Sequence, residues 1–192
     1  MKIQQYCEAT RRTWNDQGFI KNIDHAMLGI FSEFGEIASD IKQNVGYGKP
    51  IPTANLLGEL GDAHYFVVRV MDQYAMDPEL IQNLVDNSKL DRVPENPYMT
   101  WIFIASNETV ALFRAISLHG KDNTELTSKN LYECIARFIA LIRDIGEYFG
   151  YTLEQIRRAN IAKLIVRIPD KFNADQILIR DLDQEINAIK NA

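Results

Sequence analysis

Four carboxylates in two i, i+3 pairs, Glu33-Phe-Gly-Glu36 and Glu59-Leu-Gly-Asp62, carry the clearest chemical signal in the chain. Each pair lies in a segment with helical apolar periodicity, so each sets two carboxylates side by side on one helix face. Like charges so placed repel unless something positive sits between them, and a hard divalent cation prefers oxygen ligands. The spacing predicts a metal site between two helices and an enzyme that works on phosphates. The competing reading is a solvated helix flank, the ordinary fate of an i, i+3 acid pair. Two pairs of the same spacing on consecutive amphipathic helices weigh against it.

The elements that must hold these acids are helical, and strand signals are scarce. A first helix is expected over residues 2–14 and a second from Asp24 to Gln43. On the second, Met27, Ile30, Phe31, Phe34, Ile37, Ala38 and Ile41 form one stripe. Gly46, Gly48, Pro50 and Pro52 mark a loop over Asn44–Thr53. A third helix over Ala54–Tyr74 turns Leu56, Leu60, Ala63, Val67, Val70, Met71 and Tyr74 inward. Asp77-Pro78 reads as an N-cap followed by proline at the first helical position, opening a short helix to Leu90. Pro94 and Pro97 break the chain. Helices follow over 98–119 and 129–149, and Thr152-Leu-Glu-Gln155 is a capping box opening another that ends near Pro169. The polar last residues, 176–192, are expected as a peripheral tail. The fold class is an all-α bundle.

On a helical projection Glu33, Glu36 and Asp40 border the apolar stripe of their helix, and Glu59 and Asp62 border the corresponding edge of theirs. If the two stripes pack, the acids meet half-buried at the rim of the core.

The 192 residues suit one domain, and 46% hydrophobic with 24% charged residues is ordinary for a globular protein. A net charge of −5 argues against a nucleic-acid partner, though not against a nucleotide, because bound cations reverse the local field. Cys7 and Cys134 form no disulfide framework and no CxxC metal spacing, and Cys134 reads as a small core residue. The N-terminus lacks a hydrophobic signal region, and no run reaches the roughly 18 to 20 apolar residues that span a bilayer. A cytoplasmic protein with no membrane partner is expected.

A weak internal repeat is visible. A shift of 75 residues matches Asn55-Leu56 with Asn130-Leu131, Glu79 with Glu154, Ile81 with Ile156, Arg92 with Arg167 and Pro94 with Pro169. Two stacked helical hairpins, an internally duplicated pseudo-dimer, are the simplest reading, although helical periodicity alone produces some of these matches. The same shift sets Glu59 and Asp62 opposite Cys134 and Arg137, so the second half cannot build the same acidic site.

Glu33-x-x-Glu36 followed by Glu59-x-x-Asp62 resembles the metal-binding signature of the all-α nucleoside triphosphate pyrophosphohydrolases, which include MazG, the dimeric dUTPases and phosphoribosyl-ATP pyrophosphohydrolase. The fuller likeness is to MazG-like proteins. It runs through His25-Ala-Met-Leu-Gly-Ile-Phe-Ser-Glu-Phe-Gly-Glu36, Tyr47-Gly-Lys-Pro50, Asn55-Leu-Leu-Gly-Glu-Leu-Gly-Asp62 and Asn160-Ile-Ala-Lys-Leu-Ile-Val-Arg-Ile-Pro-Asp-Lys-Phe172. It covers residues 3–175, read as one domain with an acid-bearing half (1–95) and a degenerate half (98–170). The chain departs from the family in one respect. The Asn-x-x-Lys-Leu-x-x-Arg block usually follows the second acidic pair closely. Here only the worn Asn87-Ser-Lys-Leu-Asp-Arg92 does so, and the full block comes at Asn160. Either the second half supplies basic groups to acids of the same chain, or two protomers assemble each site between them.

The resemblance implies Mg²⁺-dependent cleavage of a nucleoside or deoxynucleoside triphosphate between its α and β phosphates, giving a monophosphate and pyrophosphate. Glu33, Glu36, Glu59 and Asp62 would hold Mg²⁺, with Mn²⁺ a possible substitute, and Glu36 would also be the base that activates water. Lys163 and Arg167, four apart on one helix face, could reach phosphate oxygens, and Asn160 the sugar or base. Lys49, in the loop between the acidic helices, is a further phosphate contact. His25 is either a nucleotide contact or a core-edge histidine. Trp14, Trp101 and the tyrosines read as core. Relatives are dimers or tetramers, so a homodimer or homotetramer is expected. A catalytically inert helical protein, used for oligomerisation or nucleotide sensing, is the alternative.

Overall fold

The structure, a computed structural model, describes residues 1–88, 97–170, 172 and 181–192. Among these it contains eight helices and no strand: α1 (Ile3–Arg11), α2 (Phe19–Tyr47), α3 (Thr53–Gln73), α4 (Pro78–Asn87), α5 (Pro97–Lys121), α6 (Glu125–Tyr148), α7 (Leu153–Arg167) and α8 (Leu182–Lys190). The fold is all-α, as the periodicity predicts. The worn block at Asn87–Arg92 and the matched Pro94 fall largely outside the described residues.

Several boundaries follow from the local signals. Asp77 accepts a hydrogen bond from the Glu79 N–H at 2.9 Å, with Pro78 in the first turn of α4. At Thr152 the capping box is present, the Gln155 Oε1 accepting from the Thr152 N–H at 2.9 Å. The second helix runs further than expected, to Tyr47. Gly46 is absorbed as an ordinary helical residue, and it is Gly48, at φ +65, that turns the chain out.

α3 sits at the centre. It packs against α1, α2, α6, α7 and α8 and is buried almost all the way round, with Leu56, Leu60, Ala63, Val67, Val68, Val70 and Met71 in the core. Two expectations are corrected here. Phe31, placed in the inward stripe of α2, is 67% exposed, while Ile30 and Phe34 beside it are buried. The C-terminal α8 is not peripheral: it packs on α7 and α3, and Ile189 and Glu185 are buried.

The halves repeat. α2, α3 and α4 are followed by α5, α6 and α7 in the same order. α2 packs on α3 as α5 packs on α6, and α4 packs on α6 as α7 packs on α3. The turn ending α3 recurs 75 residues later at the end of α6. The Met76 N–H reaches the Met71 carbonyl at 3.0 Å, and the Tyr151 N–H the Gly146 carbonyl at 2.8 Å. Gln82 and Arg157, also 75 apart, meet directly, the Arg157 Nη2 donating to Gln82 Oε1 at 3.1 Å.

Among the described residues one helix, α5, is long and apolar enough by length and average composition to cross a membrane, although Asn107, Glu108 and Arg114 interrupt its apolar residues. Its inner stripe, Trp101, Ala105, Leu112 and Ala115, is buried.

Candidate active site

Packing α2 on α3 brings Glu33, Glu59 and Asp62 together. One carboxylate oxygen from each lies within 4.8 Å of the others. All three side chains are half-buried at the rim of the core, where the helical projection sets them. The cluster strains its own ionisation. Burial, then the charge of Asp62 and a hydrogen bond with Glu59, push the Glu33 carboxyl up to about 9. Burial raises Glu59 as well. The pair therefore retains a proton at neutral pH unless a positive charge joins it. An all-oxygen donor set of this kind fits a hard divalent cation.

Glu36, expected as ligand and base, stays outside the three-carboxylate group. One turn beyond Glu33 it points to solvent, and it acts on Glu33 and Glu59 through its charge. Asp40, on the same edge, accepts from Asn55 Nδ2 at 2.8 Å.

The second half reaches the acids within the same chain. Gly58 and Gly61 leave the α3 surface bare where α7 crosses it. A Cβ at Gly61 would lie 2.8 Å from the Asn160 Cβ, and one at Gly58 3.2 Å from Ile189. In that gap Asn160 Nδ2 donates to Asp62 at 2.7 Å, and Lys163 Nζ pairs with the other Asp62 oxygen while lying 3.4 Å from the Gly58 carbonyl. Both side chains are buried, Asn160 wholly and Lys163 to 4% exposure. The structure thus gives them a different task from the expected one. They fix Asp62 rather than face a nucleotide. Tyr6 completes the chain of contacts, its hydroxyl donating to Asn160 Oδ1 at 2.7 Å.

Arg167, with Glu33 and Asp62, lines a cavity of about 180 Å³ that is also walled by Trp14, His25, Tyr65, Phe66 and Phe172. Glu185 of α8 grips its guanidinium through two hydrogen bonds of 2.7 and 3.1 Å, and these with the charge of Asp62 raise its pKa against the opposing effect of burial. His25 stacks on Trp14 with centroids 4.7 Å apart, and partial burial lowers its pKa. Trp14, read as core, is a cavity wall. Lys49 is not brought to the cluster. Its ammonium reaches Gln43, two helical turns or ~10 Å beyond Glu36.

Sequence reasoning missed Tyr6, Glu185 and His64. The first two act through partners 154 and 18 residues away, and no local spacing announces them. His64, one turn from Leu60 on the buried face of α3, is fully enclosed with no hydrogen bond to either nitrogen among the described residues, and burial drives its pKa well down.

Comparison of the chain with protein-family models, curated proteins and solved structures returns no match.

Proposed function

We propose that the protein is a divalent-cation-dependent nucleotide pyrophosphohydrolase of the MazG-like kind, cleaving a nucleoside or deoxynucleoside triphosphate between its α and β phosphates. The observation that carries this reading is the meeting of Glu33, Glu59 and Asp62 beside an aromatic cavity lined by Arg167. The three carboxylates would hold the cation, with Mg²⁺ the first choice and Mn²⁺ a substitute. Bound there, it would offset triphosphate charge and lower the pKa of a water.

The chain's own groups have separate tasks. Trp14, with His25 stacked on it, and Phe66 offer apolar ring faces for a base. Arg167, preset by Glu185, stands where phosphate oxygens would lie between base and acids. Lys163 and Asn160 hold one orientation of Asp62, which keeps the donor set in register. Glu36, exposed one turn from Glu33, is the candidate to accept the proton of the attacking water. The paired repeat supports one site per chain, with α7 of the second half bracing the acids of the first.

A second reading, a catalytically inert helical scaffold, is favoured by the same Lys163, which already offsets part of the charge on Asp62. Pyrophosphate release from a panel of (d)NTPs with Mg²⁺ or Mn²⁺ separates the two. Release with at least one nucleotide is expected. No release by a folded protein shown calorimetrically to bind the metal would leave the scaffold reading.

A further inference from the structure

One side chain of α1, outside the repeated halves, reaches the acids indirectly. Tyr6 is wholly buried, and its hydroxyl donates to Asn160 Oδ1 at 2.7 Å. Asn160 in turn donates from Nδ2 to Asp62 Oδ1 at 2.7 Å. The Gly61 carbonyl lies 3.2 Å from the same hydroxyl. A phenol has one proton to give, and the shorter contact takes it. Burial, then the charge of Asp62, raise the Tyr6 pKa well above its ordinary value, so the group stays a donor.

We propose that Tyr6 is a positioning residue for the acidic site, its hydroxyl fixing which end of the Asn160 amide faces Asp62. The inference rests on the reading of Glu33, Glu59 and Asp62 as cation ligands. An amide has a donor end and an acceptor end of nearly equal size, and packing alone does not tell them apart. Asp62 needs the donor end, and a donor on the far side holds the acceptor end away from it. Without the hydroxyl, Oδ1 becomes a buried acceptor that has lost its donor, and the Gly61 carbonyl is left to draw Nδ2. That turn of the amide is short, because a Cβ on Gly61 would already come 3.1 Å from Nδ2. It sets Oδ1 against the Asp62 carboxylate, acceptor against acceptor, and Asp62 loses the bond that holds its orientation.

The related crossing in the second half argues that helix packing does not require this pair. At the shift of 75 residues, Asn160 matches Val85, Gly61 matches Ala136 and Asp62 matches Arg137. α4 packs on α6 there with Val85 and Ala136 both buried. Apolar groups thus serve at that joint. Where α7 crosses α3, a buried amide and phenol stand instead, at a cost in desolvation. The polar version occurs on the side that carries the acids, and what it adds is a fixed orientation for one of them. Outer partners of a ligating carboxylate tune cation affinity in this way.

NMR of the ¹⁵N-labelled, metal-free wild type reads the amide directly. The Asn160 side-chain pair, identified by its loss in Asn160→Leu, is expected to show one proton well downfield and slow exchange with water. Tyr6→Phe should remove both features. Isothermal titration with Mn²⁺ is expected to give an affinity about tenfold lower in Tyr6→Phe, with an unchanged helical circular dichroism spectrum. Asn160→Leu should lose at least as much, and adding Tyr6→Phe to it should lose no more, because the hydroxyl acts through the amide. A merely structural tyrosine would weaken binding in both backgrounds alike. Equal Mn²⁺ affinity in wild type and Tyr6→Phe, additive losses in the double variant, or a rapidly exchanging Asn160 amide in the wild type would each overturn the inference. Failure of the cation reading is distinct: the wild type itself would give no heat with Mn²⁺, whatever its amide signals, and the inference would fall with it.

Discussion

Glu33, Glu59 and Asp62 between α2 and α3 have counterparts 75 residues on, between α5 and α6: Glu108, Cys134 and Arg137. The second trio is neutral within itself. Arg137 Nε lies 3.0 Å from a Glu108 oxygen and Nη2 3.2 Å from the Cys134 sulfur, while burial holds the thiol protonated. An internal guanidinium stands where the first trio has a third acid. Two contacting helix pairs, with positions matched 75 apart, therefore carry in one case a self-contained ion pair and in the other a group of acids whose charge burial opposes. The first is a structural joint. The second stores a demand for positive charge: Lys163 pairs with Asp62 and its charge also eases Glu59, yet burial still pushes Glu33 and Glu59 up.

If that contrast is functional, matched substitutions at related positions should differ widely. Glu59→Gln removes an acid of the first trio and is expected to lower pyrophosphate release on the order of a thousandfold, the several kcal/mol that metal-assisted charge stabilisation supplies. Cys134→Ala, its counterpart, should leave turnover within about twofold, since the thiol is only a small core group. Isothermal titration with Mn²⁺ checks the cause: heat of binding should vanish in Glu59→Gln and persist in Cys134→Ala. Comparable turnover losses in both variants would break the comparison.

Stability should respond in opposite directions. Glu108→Gln leaves Arg137 without its charged partner, in a pair partly open to water, and is expected to cost about 1–2 kcal/mol. Glu33→Gln, in metal-free protein at pH 8, removes a carboxyl that the fold resists ionising and should raise Tm, at ~2–4 °C per kcal/mol. Thermal melts with chelator, side by side, decide this. A Glu33→Gln protein that melts lower would mean the acids are already compensated.

The same logic fixes a pH dependence. The folded Glu33 carboxyl titrates at about 9, above its ordinary 4.5, so between those values the folded chain holds more proton than the unfolded one. Stability of the metal-free protein should therefore fall as pH rises from about 5 to 9 and level off beyond. Glu33→Gln should flatten most of that slope. Saturating Mn²⁺ should abolish the slope, because the metal-bound acids are then deprotonated in the folded chain as they are in the unfolded one.

How much of this could be read in the chain depends on how local each signal is. The helices and the meeting of Glu33 with Glu59 and Asp62 were legible, because apolar period and i, i+3 spacing act over a turn or two. Glu36 shares that spacing yet faces water, since a position one turn along a helix can pass from the rim to the outside. The tasks of Asn160 and Lys163 were not legible: glycines at 58 and 61 let α7 close on α3, and the approach buries groups whose sequence block suggested exposure. Phe31 was misplaced for a related reason. Its period fits the inward stripe, but α2 offers a second face, and only packing decides which one is covered.

The two turns that close the halves offer the finest comparison. Both end a helix with left-handed backbone one residue past the cap, at Ala75 with φ +47 and at Gly150 with φ +85. A β-carbon there costs roughly 1 kcal/mol, which glycine avoids. Ala75→Gly is expected to relieve the strain, less the entropy that glycine adds to the unfolded chain, for a net gain of a few tenths of a kcal/mol. Gly150→Ala has open space around the new Cβ, so it should suffer that conformational cost less the entropy the methyl removes from the unfolded chain, a net loss of about a few tenths of a kcal/mol. Urea unfolding of the two variants measures both, with an unchanged slope showing that the unfolded states are comparable. If both substitutions destabilise equally, the turns are alike in hydrogen bonding but not in strain, and the repeat is looser at this joint than its backbone suggests.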